Sequence, residues 1–163
     1  MAEELLDMRI DKRLLIKCIA IPLIVGGLAG LLTREGVMVF GSLNKPPLAP
    51  PAWLFPVVWT ILYTLMGVSS YLILQSGADE AAVSGAISVY VYQLIVNFLW
   101  PTIFFNLQWY LFAFFWLVLL WILVVIMIVR FYNISKVAGY LQIPYLIWLT
   151  FAAYLNLGIW WLN

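Results

Sequence analysis

Histidine is absent from this chain of 163 residues, charged residues make up only 9% of it, and there is a single cysteine. The first absence removes His-ligated zinc and haem, and every nucleophilic site built on a Ser-His-Asp or Cys-His pair. The lone Cys18 cannot close an intramolecular disulfide, so cysteine usage is silent on redox compartment. Eight Lys+Arg against seven Asp+Glu leave a net charge of +1, without the basic stripe of a nucleic-acid binder. The shortage of charge is decisive. Soluble domains carry about 25% charged and about 45–50% apolar residues, whereas hydrophobic residues here reach 66% and the mean hydropathy is +1.07. Too little polar surface remains to cover a water-soluble domain, so the chain belongs in a bilayer.

Crossing the hydrocarbon core takes about 20 mostly apolar residues in a helix. Five stretches qualify, at Leu14–Leu32, Pro56–Leu74, Ala86–Phe105, Trp109–Val129 and Leu141–Leu162. They lack the polar/apolar alternation of a barrel strand, which predicts an all-α, polytopic bundle of five transmembrane helices forming one domain over 1–163. Lys17 is the one charge inside them, near enough to a helix start to snorkel. The opening MAEELLDMRIDKR mixes both signs and shows no small-residue cleavage site, and it is read as a retained N-terminus. Arg9, Lys12, Arg13, Lys17, Arg130 and Lys136 fall on one side and Arg34 and Lys45 on the other, which predicts a cytoplasmic N-terminus, with the cell membrane as the expected host. No repeat of helix pairs is visible, against an inverted-repeat transporter.

The breaks between spans are unequal. Three are short, at Asn106–Gln108, around Gly77–Glu80 and at Arg130–Gly139, and suit antiparallel neighbours. The first, 33–55, is long and holds Pro46, Pro47, Pro50 and Pro51, four of the eight prolines. Pro stiffens itself and the residue before it, so this loop is expected to cover the bundle mouth as a lid.

Polar groups inside a bilayer are costly unless they face the protein interior. On the third span Gln93 and Asn97 share a face with Tyr90 and Trp100; on the second, Trp59, Tyr63, Met66 and Ser70 form a stripe; on the fifth, Trp148, Ala152, Leu155 and Asn156 align. Two readings stand. The three faces could line an uncharged cavity for a flat, largely apolar ligand, or they could simply fill the core and bond across helices. Trp109, Trp116, Trp121, Trp160 and Trp161 are read as lipid contacts or interfacial anchors. Pro22, Pro101 and Pro144 are candidate kinks, and Gly26 with Gly30 a site of close helix contact, within the bundle or in a dimer.

Three motifs in order, LNKPPLAPPAWLFPVVWTILYTLMG (Leu43–Gly67), QLIVNFLWPTIFF (Gln93–Phe105) and PYLIWLTFAAYLN (Pro144–Asn156), resemble the TspO/MBR family of tryptophan-rich sensory and translocator proteins, which includes the peripheral benzodiazepine receptor. The resemblance implies a five-helix membrane protein, usually a homodimer, whose first loop closes a pocket for porphyrins such as protoporphyrin IX and haem. It assigns ligand-binding roles to Trp59, Tyr63, Asn97, Trp100, Trp148, Ala152 and Leu155, and lid roles to Pro46, Pro50, Pro51 and Trp53. Two departures stand out. Leu48 occupies a lid position where the family usually carries an aromatic, so an altered pocket wall is expected there. Nothing basic follows Tyr154 between Leu155 and Asn163, so the sterol-recognition pattern is incomplete.

The expected function is therefore porphyrin binding for transport or sensing, with no cofactor required and no metal site. Light- and oxygen-dependent porphyrin breakdown involving Trp59 and Trp148, or passive conduction of small hydrophobic metabolites, are the alternatives. Every carboxylate lies outside the expected spans, which argues against conventional acid-base turnover and against an ion-coupled pump.

Overall fold

A computed structural model describes residues 10–163; the charges Glu3, Glu4, Asp7 and Arg9, and the N-terminal stretch that carries them, lie outside that range. The described residues contain helices and no strand. Helix α1 runs Lys12–Phe40, α2 Leu54–Leu74 and α3 Glu80–Pro101, which continues into a π-helical turn at Thr102–Asn106. Helix α4 covers Tyr110–Ile134, the short α5 Lys136–Tyr140 and α6 Ile143–Leu162. Among the described residues, five rods are long and apolar enough to cross a membrane: α1, α2, α3 with its π turn, α4, and α5 with α6.

Local chemistry sets the helix starts. The Asp11 carboxylate accepts from the backbone N–H of Arg13 and of Leu14, both at 3.0 Å, and so caps α1. Asp79 caps α3 through Ala82 N–H at 3.2 Å. Pro101 has no N–H to donate, and the chain beyond it widens, with Leu107 N–H bonding to the Thr102 carbonyl at 3.0 Å, five residues back. Pro144, expected as a mid-helix kink, instead occupies the first turn of α6, where the missing N–H costs nothing.

The long loop expected at 33–55 is shorter, because α1 continues to Phe40 and leaves 41–53 as the connection. No proline falls between Thr33 and Lys45 to stop the helix. The extension also finds a partner: Thr33 and Gly36 are buried, the Gly36 backbone lies against the Phe105 carbonyl, and Asn106 Nδ2 donates to the Leu32 carbonyl at 3.0 Å. Arg34 and Glu35 point outward. The break expected at 130–139 is likewise mostly helical, interrupted at Ser135, whose hydroxyl accepts from Ala138 N–H at 3.4 Å to start α5.

α4 is the central member, packed on α3, α5 and α6, while α1 lies against α2, α3 and the π turn. Helices α2 and α6 stand apart along most of their length. Near α5 the space between them is filled solid by Met66, Ile73, Ala86, Leu117, Val124, Met127, Phe131 and Leu149, all fully buried. Toward the 41–53 loop it is not filled.

Candidate ligand pocket

A cavity of about 460 Å³ occupies the unfilled half, within the range usual for small-molecule sites. Helix α1 contributes Leu23, Gly26, Gly27, Ala29, Gly30, Thr33, Val37 and Phe40; α2 contributes Phe55, Pro56, Trp59, Thr60 and Tyr63. Asn97, Trp100 and Pro101 come from α3, Phe104 and Phe105 from the π turn, and Trp148, Ala152, Leu155, Asn156 and Ile159 from α6. Among the described residues, none that lines the cavity is charged.

The rings are held by one another and by a neutral hydrogen-bond network. Trp59 stacks on Tyr63 with centroids 5.4 Å apart and meets Tyr145 edge-on at 6.1 Å. Tyr63 Oη donates to Asn97 Oδ1 at 2.9 Å, Asn97 Nδ2 donates to Tyr145 Oη at 2.6 Å, and Tyr145 Oη donates to Gln93 Oε1 at 2.9 Å. This relay ties α2, α3 and α6 together beneath the cavity. Trp100 stacks on Phe104 at 5.1 Å, and its Nε1 donates to Asn156 Oδ1 at 3.2 Å, while Asn156 Nδ2 donates to the Tyr110 carbonyl at 2.7 Å. Trp148 meets Phe55 edge-on at 5.9 Å. The amides and phenols of the floor are thus engaged with each other, and what faces the hollow is mainly ring surface, suited to dispersion and π contact.

Trp59, Tyr63, Asn97, Trp100, Trp148, Ala152 and Leu155 all border the cavity. The α2 and α3 stripes that contain them do not line it throughout. Met66, Ser70, Tyr90 and Gln93 are buried in the solid half, so the cavity reading describes one end of these two stripes and the core reading the other, while the α6 stripe of Trp148, Ala152, Leu155 and Asn156 borders the cavity along its whole length. Ala152 provides the gap expected beside Trp148.

The lid residues sit differently from expectation. Pro46, Pro50, Pro51 and Trp53 do not border the cavity; Trp53 faces outward at 66% exposure, and the loop reaches the hollow through Ala52. Pro46 instead lies against Gly158 of α6. Leu48 does not alter a pocket wall, since it adopts φ +68° at an outward turn and is 82% exposed. Trp116, expected at the lipid face, is half-buried and donates from Nε1 to the Val96 carbonyl at 2.8 Å, locking α4 to α3; Trp109, Trp121, Trp160 and Trp161 are exposed.

Residue-by-residue reading of the sequence missed the α1 face and the π-turn rings. Phe40 fell in a segment expected to be loop. The glycines of α1 suggest close helix contact by their spacing, although small residues at that spacing opposite aromatic stripes are also what a cavity wall needs.

Among known proteins, a family model described as TspO/MBR family matches residues 18–162. The chain is 38% identical over 147 residues to the tryptophan-rich protein TspO of Chlorobaculum tepidum, covering 90% of this chain and 93% of that one. It is 39% identical to protein CrtK of Rhodobacter capsulatus, covering 84% and 85%, and 37% identical to the translocator protein of Ovis aries, covering 83% and 82%.

Proposed function

Because this chain belongs to the TspO/MBR family and is an integral, multi-pass membrane protein, we propose that its cavity binds porphyrin-like tetrapyrroles, such as protoporphyrin IX and haem, for transport or sensing. One observation carries the reading: an uncharged hollow walled by Trp59, Trp100 and Trp148 from three different helices. A flat apolar macrocycle gains dispersion and π contact from such walls, and the neutral floor spares any charge the cost of burial. Among the described residues, Tyr63 is the only phenol that lines the cavity and is already bonded to Asn97, and no histidine, cysteine or methionine lines it. Affinity then comes from ring burial, and metal-free porphyrin should bind about as well as haem.

The test is quenching of tryptophan fluorescence by protoporphyrin IX in detergent. Substituting Phe for Trp59, Trp100 or Trp148 should each weaken saturable quenching, while Trp121→Phe, at the outer surface, should not. Equal effects at all four would indicate nonspecific partitioning of the dye and end the proposal.

A second reading, light- and oxygen-dependent breakdown of the bound porphyrin, is favoured by one feature: the indoles of Trp59 and Trp148 border the same hollow. Trp59→Phe combined with Trp148→Phe should then abolish bleaching under illumination in any preparation that still binds ligand. Unchanged bleaching would reject a role for the indoles.

A further inference from the structure

The wall between α1 and α2 is closed at one end and open at the other. Along α2, Pro56, Thr60, Tyr63 and Gly67 recur at i, i+4, i+7 and i+11 and form one stripe. Its α5-ward part touches α1: Gly67 lies against the backbone of Cys18 and Ile19, and the Tyr63 ring lies against Gly26. At Gly27, next to Gly26, and at Gly30, one turn further along α1, an added side chain would meet nothing within 4 Å. Across from them Pro56 and Thr60 are exposed, and all four residues border the cavity. The two helices therefore touch at two levels and then part, leaving a slit through the bundle wall.

The slit faces lipid. Ile24, Leu28 and Leu31 on α1 and Val57 and Ile61 on α2 are exposed apolar neighbours of its rims, and Arg34, four residues beyond Gly30, marks the headgroup level. Its polar groups are spent internally: Thr60 Oγ1 donates to the Pro56 carbonyl at 2.7 Å and Thr64 Oγ1 to the Thr60 carbonyl at 2.8 Å. Hydroxyls bonded back to their own helix can line an acyl-chain region without an unmet donor.

The other way in, past the loop, is fastened. Asn44 N–H donates to Asn163 Oδ1 at 3.0 Å and Asn163 Nδ2 donates to the Asn44 carbonyl at 2.9 Å. Tyr154 Oη donates to the Pro47 carbonyl at 2.8 Å, and the Pro46 ring rests on Gly158. Lifting the loop breaks all of these contacts; passage through the slit breaks none of them.

We propose that the cavity exchanges its ligand sideways with the acyl-chain layer, through the slit bounded by Gly27 and Gly30 on α1 and Pro56 and Thr60 on α2, while the 41–53 loop stays fastened to α6. The inference rests on the cavity being the ligand site. It specifies a flat, lipid-partitioning amphiphile that enters ring first, with any acidic groups held back at the headgroup level of Arg34 and Lys45.

The experiment uses the full chain with Cys18→Ala, in phosphatidylcholine nanodiscs, with protoporphyrin IX mixed in and tryptophan quenching followed in time. Tying the loop, by joining Asn44→Cys to Asn163→Cys with a short bis-maleimide, should leave association and dissociation rates within twofold. Narrowing the slit with Gly27→Leu and Thr60→Leu should lower both the association and the dissociation rate at least tenfold. A tied loop that slows exchange tenfold, or a narrowed slit that leaves both rates unchanged, overturns the proposal. Should the narrowed variant fail to fold, the tied loop decides alone. If the wild type shows no saturable quenching, the porphyrin reading fails and the route is decided with a diazirine-tailed phosphatidylcholine. Photo-adducts on Asn97 or Leu155 with the loop tied support the slit; adducts confined to outward residues such as Ile24 and Ile61 overturn it.

Discussion

Two halves of one bundle, built from the same kinds of residue, end in opposite states. Near α5 the helices close on a solid core, and glycine there brings backbones together, as Gly67 does against Ile19. Toward the 41–53 loop, Gly27 and Gly30 of α1 face open space, and the large rings of Trp59, Trp100 and Trp148 stand around a hollow. Small residues therefore have no fixed meaning in a membrane bundle. Opposite a backbone they make a contact, and opposite bulky rings they make room. Lipid tails are as apolar as the side chains, so burial alone does not drive helices together. A half whose aromatics prop the helices apart can stay open while the other half holds the fold.

The largest contrast should come from deleting one ring in each half. Phe131→Ala, in the solid half, should cost about 3–5 kcal/mol of unfolding free energy in mixed micelles, because the ring is fully enclosed and leaves a void. Trp148→Ala should cost less than half of that, since one side of the indole already faces the cavity. Equal losses would mean that the hollow is closed up in solution.

Next come the glycines. Gly67→Ala places a methyl group against the backbone of α1 and should destabilise by about 1–3 kcal/mol. Gly30→Ala, with nothing within 4 Å, should instead stabilise by about 0.5–1 kcal/mol through helix propensity. The same unfolding measurement reads both, and two losses of similar size would erase the difference between the two walls.

The floor dividing the halves should matter about as much as the Gly67 contact. Tyr145→Phe removes the link between Asn97 and Gln93 and should cost about 1–3 kcal/mol, because buried partners are left unpaired. Tyr154→Phe removes an exposed bond to the loop and should stay within about 0.5 kcal/mol.

The smallest effect concerns charge at the mouth. Lys45 Nζ lies 5.0 Å above the Phe40 ring, which borders the cavity. Lys45→Gln should weaken binding of protoporphyrin IX at low salt by about 0.5 kcal/mol, near twofold, and leave its dimethyl ester unaffected. An equal change for both ligands would remove any part for the ammonium group in meeting a carboxylate.

The medium, the helical class, the five crossings and the three aromatic faces are all legible in the chain before it folds. Each follows from composition or from a period of 3.6 residues, which is local and needs no partner. Tertiary structure alone decided that α1 runs on to Phe40, because its support at Gly36 comes from the π turn some seventy residues further along. It also decided that the α2 and α3 stripes split at the level of the Tyr63–Asn97 bond into a hollow and a core, and that the proline loop is fastened through Pro46 to Gly158, so that Pro46, Pro50, Pro51 and Trp53 do not border the cavity. A helical period shows which residues share a face, but not how far away the opposite helix lies. That distance is fixed only where Gly67 meets Ile19 at one level and Gly30 meets nothing at another.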